Sequence, residues 1–231
     1  IKNNQMKNWF YKLKLLVNLL KYKGFFTRKQ YSKNKEDQYL KKIFRNKTKG
    51  TYIDIGAYHP YKHSNTYLLH RKGWNGINVD INKESIDLFN IARPNDKNLN
   101  IAIGNKNKIQ TFYYQKKNHP MNTLNKKFAS RFWVNKDHYK KNKIMTRTFD
   151  FLIKKIKKID LLDIDVEGAE YDVIKKINFK NISFKIILIE HSLFDATSIR
   201  NTKKVKLLLL KRNYKYIKNF GETSVYKNKL Y

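Results

Sequence analysis

The feature that most constrains the fold is a junction at residues 51–66, TYIDIGAYHPYKHSNT. A short β-rich run carries a carboxylate, Asp54, near its end and breaks at Gly56. A polar loop follows, then a helix from about Ser64. A strand that stops at Asp-x-Gly and turns into a helix is the usual start of a nucleotide-type cofactor site. The glycine lets backbone approach a ligand closely, and the helix start offers unpaired N–H groups.

The same rhythm continues down the chain. The pattern predicts a helix over 66–71, capped by Ser64 or Asn65 and closed by Gly73. A second strand, 76–79, ends at Asp80, and Asn82 caps a helix from 83 that stops before Arg93-Pro94. Residues 99–103 read as a third strand, and 109–114 and 144–148 as extended segments. A helix over 150–158 precedes a strand at 160–166, DLLDIDV, and a further helix running to about Ile177. A strand at 185–189 ends at Glu190-His191, a helix covers 202–212, and a hairpin around Gly221 closes the chain. Such alternation implies an α/β sandwich with a mostly parallel sheet covered on both faces. Right-handed crossovers then gather Asp54, Asp80, Asp165, Glu167, Glu190 and His191 on one sheet edge, where ligands bind.

Charge sharpens that reading. The 231 residues hold 51 Lys+Arg against 18 Asp+Glu, a formal net charge of +33. An excess of this size suits a polyanion partner, or it is a lysine-rich bias carried on solvated faces. In either case a carboxylate beside an apolar strand is more informative than in an ordinary chain. There is no cysteine, which excludes disulfides, thiolate metal sites and a cysteine nucleophile. Residues 1–49 form a basic helical extension, and residues 50–231 form the main domain, with an insertion near 115–143. That insertion is either a cap over the strand ends or a surface excursion. The extension contains MKNWFYKLKLLVNLLKYKGFF, a basic amphipathic helix that ends near Gly24. It either docks on an anionic membrane surface or packs on the domain. No apolar run spans a bilayer and no secretory cleavage site follows, so the chain is expected in the cytoplasm, with the inner membrane surface as the place for a peripheral contact.

Asp80, at the end of the second strand, suits a hydrogen bond to ribose hydroxyls. Tyr58 and Tyr61 stand where a G-x-G-x-x-G clamp needs glycine, which argues against a diphosphate. A cofactor with adenosine but no diphosphate fits better, and S-adenosylmethionine is the common one. The set Asp54-Ile55-Gly56-Ala57, His59-Pro60, Ser64-Asn65-Thr66, Gly73-Trp74-x-Gly76-Ile77, Asp80, Arg93-Pro94 and Ile164-Asp165-Val166-Glu167-Gly168-Ala169-Glu170 resembles the FkbM family of S-adenosylmethionine-dependent methyltransferases over about residues 50–191.

The resemblance implies a class I methyltransferase fold, Rossmann-like, with seven strands and a C-terminal antiparallel hairpin. It also implies O-methyl transfer to a sugar, glycan or related small molecule, as in polysaccharide modification. By the same resemblance Gly56 and Ala57 approach the methionine end, and Asp54 orients its amino group. Ser64 and Asn65 face its carboxylate, Asp80 binds ribose, Ala102 lies near adenine, and Asp165 sits at the transfer centre. Asp163 departs from the pattern, where a small or basic residue is expected. Asp165, Glu167 and His191 are the candidate bases for the acceptor hydroxyl. The grouped acids have the oxygen chemistry of a Mg²⁺ site, although the sequence requires no metal. His59 and His63 read as substrate-loop or surface residues, without partners for zinc. A nucleic-acid methyltransferase, prompted by charge, and a non-catalytic binding protein on the same fold are the alternatives.

Overall fold

The junction becomes an inner strand of a seven-stranded sheet. The computed structural model describes residues 2–23, 29–116, 118–132, 139–153, 156–191 and 196–231. Strand β1 (Thr51–Ile55) pairs in parallel with β2 (Asn75–Val79) and with β7 (Lys158–Ile164). Beyond them lie β3 (Lys97–Leu99) on one side and β8 (Ser183–Glu190), β10 (Thr223–Asn228) and β9 (Tyr214–Phe220) on the other. The order is β3-β2-β1-β7-β8-β10-β9, and only β10 and β9 run antiparallel to their neighbours. This is the sheet expected from the sequence, hairpin included.

Strand alternation sorts two cores. On one face Ile53, Ile55, Val79, Leu162, Ile164, Ile187 and Ile189 are buried. They pack with Leu152 and Ile153 of α6 (Asp150–Ile153), Val173 and Ile174 of α7 (Glu170–Ile174), and Val205 and Leu209 of α8 (Ala196–Lys211). On the other face Tyr52, Leu161, Ile186, Leu188 and Val225 meet Leu69 of α3 (Tyr67–Arg71), Trp74, and Leu40 and Phe44 from and just after α2 (Glu36–Ile43). The same alternation points Asp54 and Asp163 to this second face, where they are direct partners across β1 and β7. Helix α1 (Lys2–Lys23) packs on α4 (Lys83–Ala92), so part of the basic N-terminal stretch is built into the domain.

Several expectations are corrected. The run 99–103 is not one strand: β3 ends at Leu99, and β4 (Ala102–Ile103) belongs to a separate three-stranded sheet with β5 (Lys108–Tyr114) and β6 (Lys140–Arg147). Asn100 parts them, its side-chain amide donating to the carbonyls of Asp80 and Ile81. The insertion is shorter than 115–143, because Lys140–Lys143 already pair with β5. It carries α5 (Lys126–Phe132) and is tied back by a bridge between Tyr113 and Thr123. Neither Ser64 nor Asn65 caps α3; Thr66 holds the cap position and makes no capping bond. Asn82 does stand at the cap of α4, but its side chain is taken by Asn122 and the His119 carbonyl instead. The predicted helix at 150–158 cannot reach Lys158, which opens β7; residues 154–155 of that run lie outside the described residues, as does Gly24 at the predicted end of α1.

Two glycines with positive φ separate steric need from mere turn geometry. Gly56 has φ +86, and a Cβ there would sit 1.5 Å from the Asp165 carbonyl oxygen. Gly73 has φ +91, with nothing within 4 Å of a Cβ. Gly56→Ala is therefore expected to destabilise by on the order of 3 kcal/mol or more, through backbone strain plus a clash. Gly73→Ala is expected to cost only about 1 kcal/mol. Chemical denaturation of both variants checks the ranking, and equal losses would show that the Gly56 contact relaxes freely.

Candidate active site

The floor of the site is a buried polar network centred on Arg93, which follows α4 and is fully buried. Its Nη1 donates to Thr66 Oγ1 at 2.9 Å and to the Tyr52 hydroxyl at 3.2 Å. Its Nη2 donates to Ser64 Oγ at 2.9 Å and to the Pro60 carbonyl. The guanidinium also lies over the Phe89 ring, 4.8 Å from its centroid. Thr66 passes the interaction on, donating from its hydroxyl to Asp54 Oδ2 at 2.8 Å. Asp96 closes the far side by accepting from the Tyr52 hydroxyl, from Asn78 Nδ2 and from the Gly76 amide. A planar group with several donors is what this fan of acceptors needs, and a lysine cannot supply it.

Above this floor two cavities adjoin, sharing Gly56, Pro120 and Asp165 in their walls. The first has an empty volume of about 520 Å³, part of it open to solvent. Its sides are apolar, with Ile55, Val79, Ile103 and Leu124, while Asp80, Asn82 and Asn122 are polar. Asp80 is buried and already holds two backbone amides, Tyr58 N on Oδ2 at 2.8 Å and Asn82 N on Oδ1 at 2.6 Å. Each carboxylate oxygen keeps a second acceptor position. Burial raises Asp80 to about 6, against the bonds from Asn82 and Tyr58. Asn122 Oδ1, on the same wall, is buried without a partner. An apolar slot ending in a buried acid and an unsatisfied acceptor fits the adenosine part of S-adenosylmethionine.

The second cavity, about 890 Å³, is lined by Glu36, Asp54, Asp163, Asp165, Glu167 and Glu190, with Lys33 among them. So acidic a cleft stands out in a chain of net charge +33. Burial raises Asp54 to about 6, opposed by Thr66 and Arg93. Asp163 lies well above the usual carboxylate range through burial and its neighbour Asp54, and Asn65 Nδ2 donates to it at 3.0 Å. Asp165 is likewise raised by burial, by the Glu190 charge and by a hydrogen bond to Glu190. Glu167 is raised by burial and by Glu190, and its backbone takes φ 52, a costly conformation for a non-glycine residue. Its carbonyl is anchored by Thr123 Oγ1 at 2.9 Å. Lys33 reaches Glu222 at 3.3 Å and Glu190 at 3.7 Å.

Of the residues singled out in the sequence, Asp54, Gly56, Ala57, Ser64, Asn65, Asp80, Ala102, Asp165 and Glu167 line one or both cavities. Ser64 is a correction in role: its hydroxyl is buried and accepts from Arg93, 3.3 Å from Thr66 Oγ1. Gly56, in the wall of both cavities, is packed closest against the Asp165 carbonyl. His191 is a correction in place. It lines a separate cavity of about 240 Å³ with Gly168, Glu170 and α8 residues, and burial lowers it to about 4. Glu190, its neighbour in the chain, lines the acidic cleft instead. His59 is no surface residue: it is buried, with Nδ1 accepting from the amides of Tyr61 and Lys62 and Nε2 meeting Asn18 Oδ1 at 2.8 Å. His63 is exposed at the cleft. Among the described residues no three of His, Asp and Glu are grouped to hold a metal ion. Sequence reasoning missed Arg93 as a network centre, and with it Thr66, Glu36 and Asn122.

The sequence profile of the FkbM methyltransferase domain matches residues 54–216. No curated protein matches the chain. Among solved structures, a protein from Klebsiella pneumoniae provisionally described as an O-methyltransferase is 8% identical, with 94% of this chain and 89% of that chain covered and a TM-score of 0.45. An O-methyltransferase from Bacillus cereus in complex with SAH is 10% identical, with 92% and 87% covered and a TM-score of 0.45.

Asp163 yields a pH-dependent prediction. Its raised value means that the folded protein keeps a proton there that the unfolded chain releases near 3.8. Stability from this group is therefore full below about pH 4 and falls as pH rises. Buried His59 and His191, lowered to about 3 and about 4, act in the opposite sense, because the unfolded chain takes up their protons first as pH falls below 6.5. Comparing Asp163→Asn with the parent at each pH cancels the histidines. The melting-temperature difference in favour of the variant is expected to be smallest near pH 4 and to widen toward pH 7. An offset that does not change with pH would count against a protonated Asp163.

Proposed function

The chain belongs to the FkbM methyltransferase family, and on that premise we propose that it O-methylates a hydroxyl of a sugar or glycan, drawing the methyl group from S-adenosylmethionine. One observation carries the acceptor class: the cavity next to the apolar slot is walled by carboxylates, and the two cavities meet at Gly56 and Asp165. Carboxylates accept hydrogen bonds from hydroxyls, so a neutral polyol finds partners on every side of such a cleft. A nucleic-acid acceptor would bring phosphates into a cleft lined by Asp163, Asp165, Glu167 and Glu190 with Lys33 as its one lysine, a poor setting for a polyanion.

When bound, S-adenosylmethionine supplies an electrophilic methyl on a cationic sulfur, which keeps the electron pair of the bond that breaks. The residues need only hold, align and take one proton. Asp80 has an acceptor position left on each oxygen for ribose hydroxyls, and Ile55, Val79, Ile103 and Leu124 supply the apolar walls beside it. Asp54, fixed by Thr66, and Asp163 are placed to ionise against a cationic amino group, since an adjacent positive charge favours the charged form. The Asp165–Glu190 pair has room for the proton that leaves the acceptor hydroxyl as its oxygen bonds to carbon. Glu167 stands beside the pair as a second acceptor.

The reading is tested by incubating the protein with labelled S-adenosylmethionine and parallel panels of neutral sugars, glycans and RNA. Label in a sugar fraction is expected, and label in RNA alone would overturn the acceptor class. Asp80→Ala is expected to weaken cofactor binding at least ~10-fold by calorimetric titration, through loss of charge-assisted bonds. Unchanged affinity would remove Asp80 from the ribose site. Asp165→Asn is expected to lower kcat by ~100-fold or more while cofactor affinity moves far less, because it removes a proton acceptor rather than a binding contact. Parent-like turnover would assign the proton to another group.

A further inference from the structure

Helix α1 has two faces that do different things. Tyr11, Leu15, Asn18, Leu19 and Tyr22 turn inward. Leu15 and Leu19 are buried against Tyr61, Tyr67 and Leu88, and the Tyr11 hydroxyl donates to Asp87 at 2.8 Å. Those contacts fix the helix on the domain. The opposite face is apolar and open: Met6, Trp9, Phe10, Leu13, Leu16, Val17 and Leu20 are 42–61% exposed. At about 100° per residue, all seven fall within one arc of roughly 120°. Lys12 and Lys23 border the arc on one side, and Lys7, Lys14 and Lys21 on the other, all exposed.

We propose that this outer face of α1 is an interfacial anchor for an anionic lipid bilayer. Large apolar side chains between two rows of lysines match the acyl–headgroup boundary, with the stripe below the headgroups and the ammonium groups among the phosphates. A stripe of this size is beyond the scattered exposure of an ordinary surface. A second copy of the chain is a poorer occupant, because a two-fold pairing of this face sets lysine rows near lysine rows. No helix among the described residues is long and apolar enough to cross a membrane, so the contact lies in the interface plane. The anchor is also coupled to the site. Asn18 holds His59, Tyr22 meets the same ring edge-on at 5.1 Å, and Lys62 lies over Tyr22. That loop continues into Tyr58 and His63, which line the acidic cleft. Docking therefore sets the cleft beside the lipid surface, where a membrane-borne acceptor is presented; only this last step rests on the methyl-transfer reading.

Flotation of the full chain with vesicles tests the anchor without any cofactor, so failure leaves methyl transfer untouched. The parent is expected to float with phosphatidylcholine–phosphatidylglycerol vesicles, less so as salt rises, and to stay behind with phosphatidylcholine alone. Leu13→Glu with Val17→Glu, both on the open face, is expected to cut binding ~10-fold or more with an unchanged melting temperature. Lys12→Glu with Lys23→Glu keeps the apolar stripe and is expected to lose the preference for the anionic vesicles. Parent protein that floats with neither vesicle, or equally with both, overturns the proposal. So does a Leu13→Glu/Val17→Glu variant that floats like the parent, or a lipid-free dimer that this variant dissociates.

Discussion

The structure around the cleft depends on one buried guanidinium. Arg93 reaches from the end of α4 to the loop before α3 and to the face of β1, satisfying Pro60, Ser64, Thr66 and Tyr52 at once. Taking such a charge out of water is unfavourable unless its donors find acceptors; both Nη atoms do, while Nε is buried without a partner. Here the acceptors are the chain segments that must be ordered for Asp54 to point into the cleft. The loop from Ala57 to Thr66 has little regular structure of its own, and the guanidinium gives it a single arrangement. Removing one partner would leave a buried charge under-satisfied, so the network is ordered as a unit.

Electrostatics divide the molecule in two. Lysines cover the outside, whereas the cleft between β1, β7 and β8 gathers carboxylates, of which Asp54, Asp163, Asp165 and Glu167 are raised chiefly by burial. Crowded acids are a poor choice for stability, as these four resist ionisation inside the fold. They become favourable partners for a ligand that brings hydroxyls or a positive group. The departure at Asp163 belongs to this pattern: in register beside Asp54, it extends the acidic row rather than disturbing it.

The sheet was legible in the sequence because the physics that forms it is periodic. Short apolar runs in β1, β7 and β8, each with an acid at or next to its end, mark both the strands and the edge they share. What escaped was set by contacts distant in the chain. The break between β3 and β4 depends on Asn100 reaching back to Asp80 and Ile81. His191 comes one residue after Glu190, yet it lines the small cavity beside α8 while Glu190 lines the cleft. For Arg93 there was a clue: only 8 of the 51 basic residues are arginine, and one of them directly precedes a proline at a helix end. Where lysine is the default, arginine marks a position that needs several donors in a plane.

The contact between Gly56 and the Asp165 carbonyl has a consequence for rigidity. It leaves no room for a side chain between the ends of β1 and β7, and Gly56 N and Asp165 N are each tied to a neighbouring strand, at 2.8 Å to Val79 O and 2.8 Å to Ile55 O. The walls of the two cavities, which share Gly56 and Asp165, are thus braced against a common stop. Whatever occupies them meets a spacing that the sheet itself sets, rather than one that a loop could adjust.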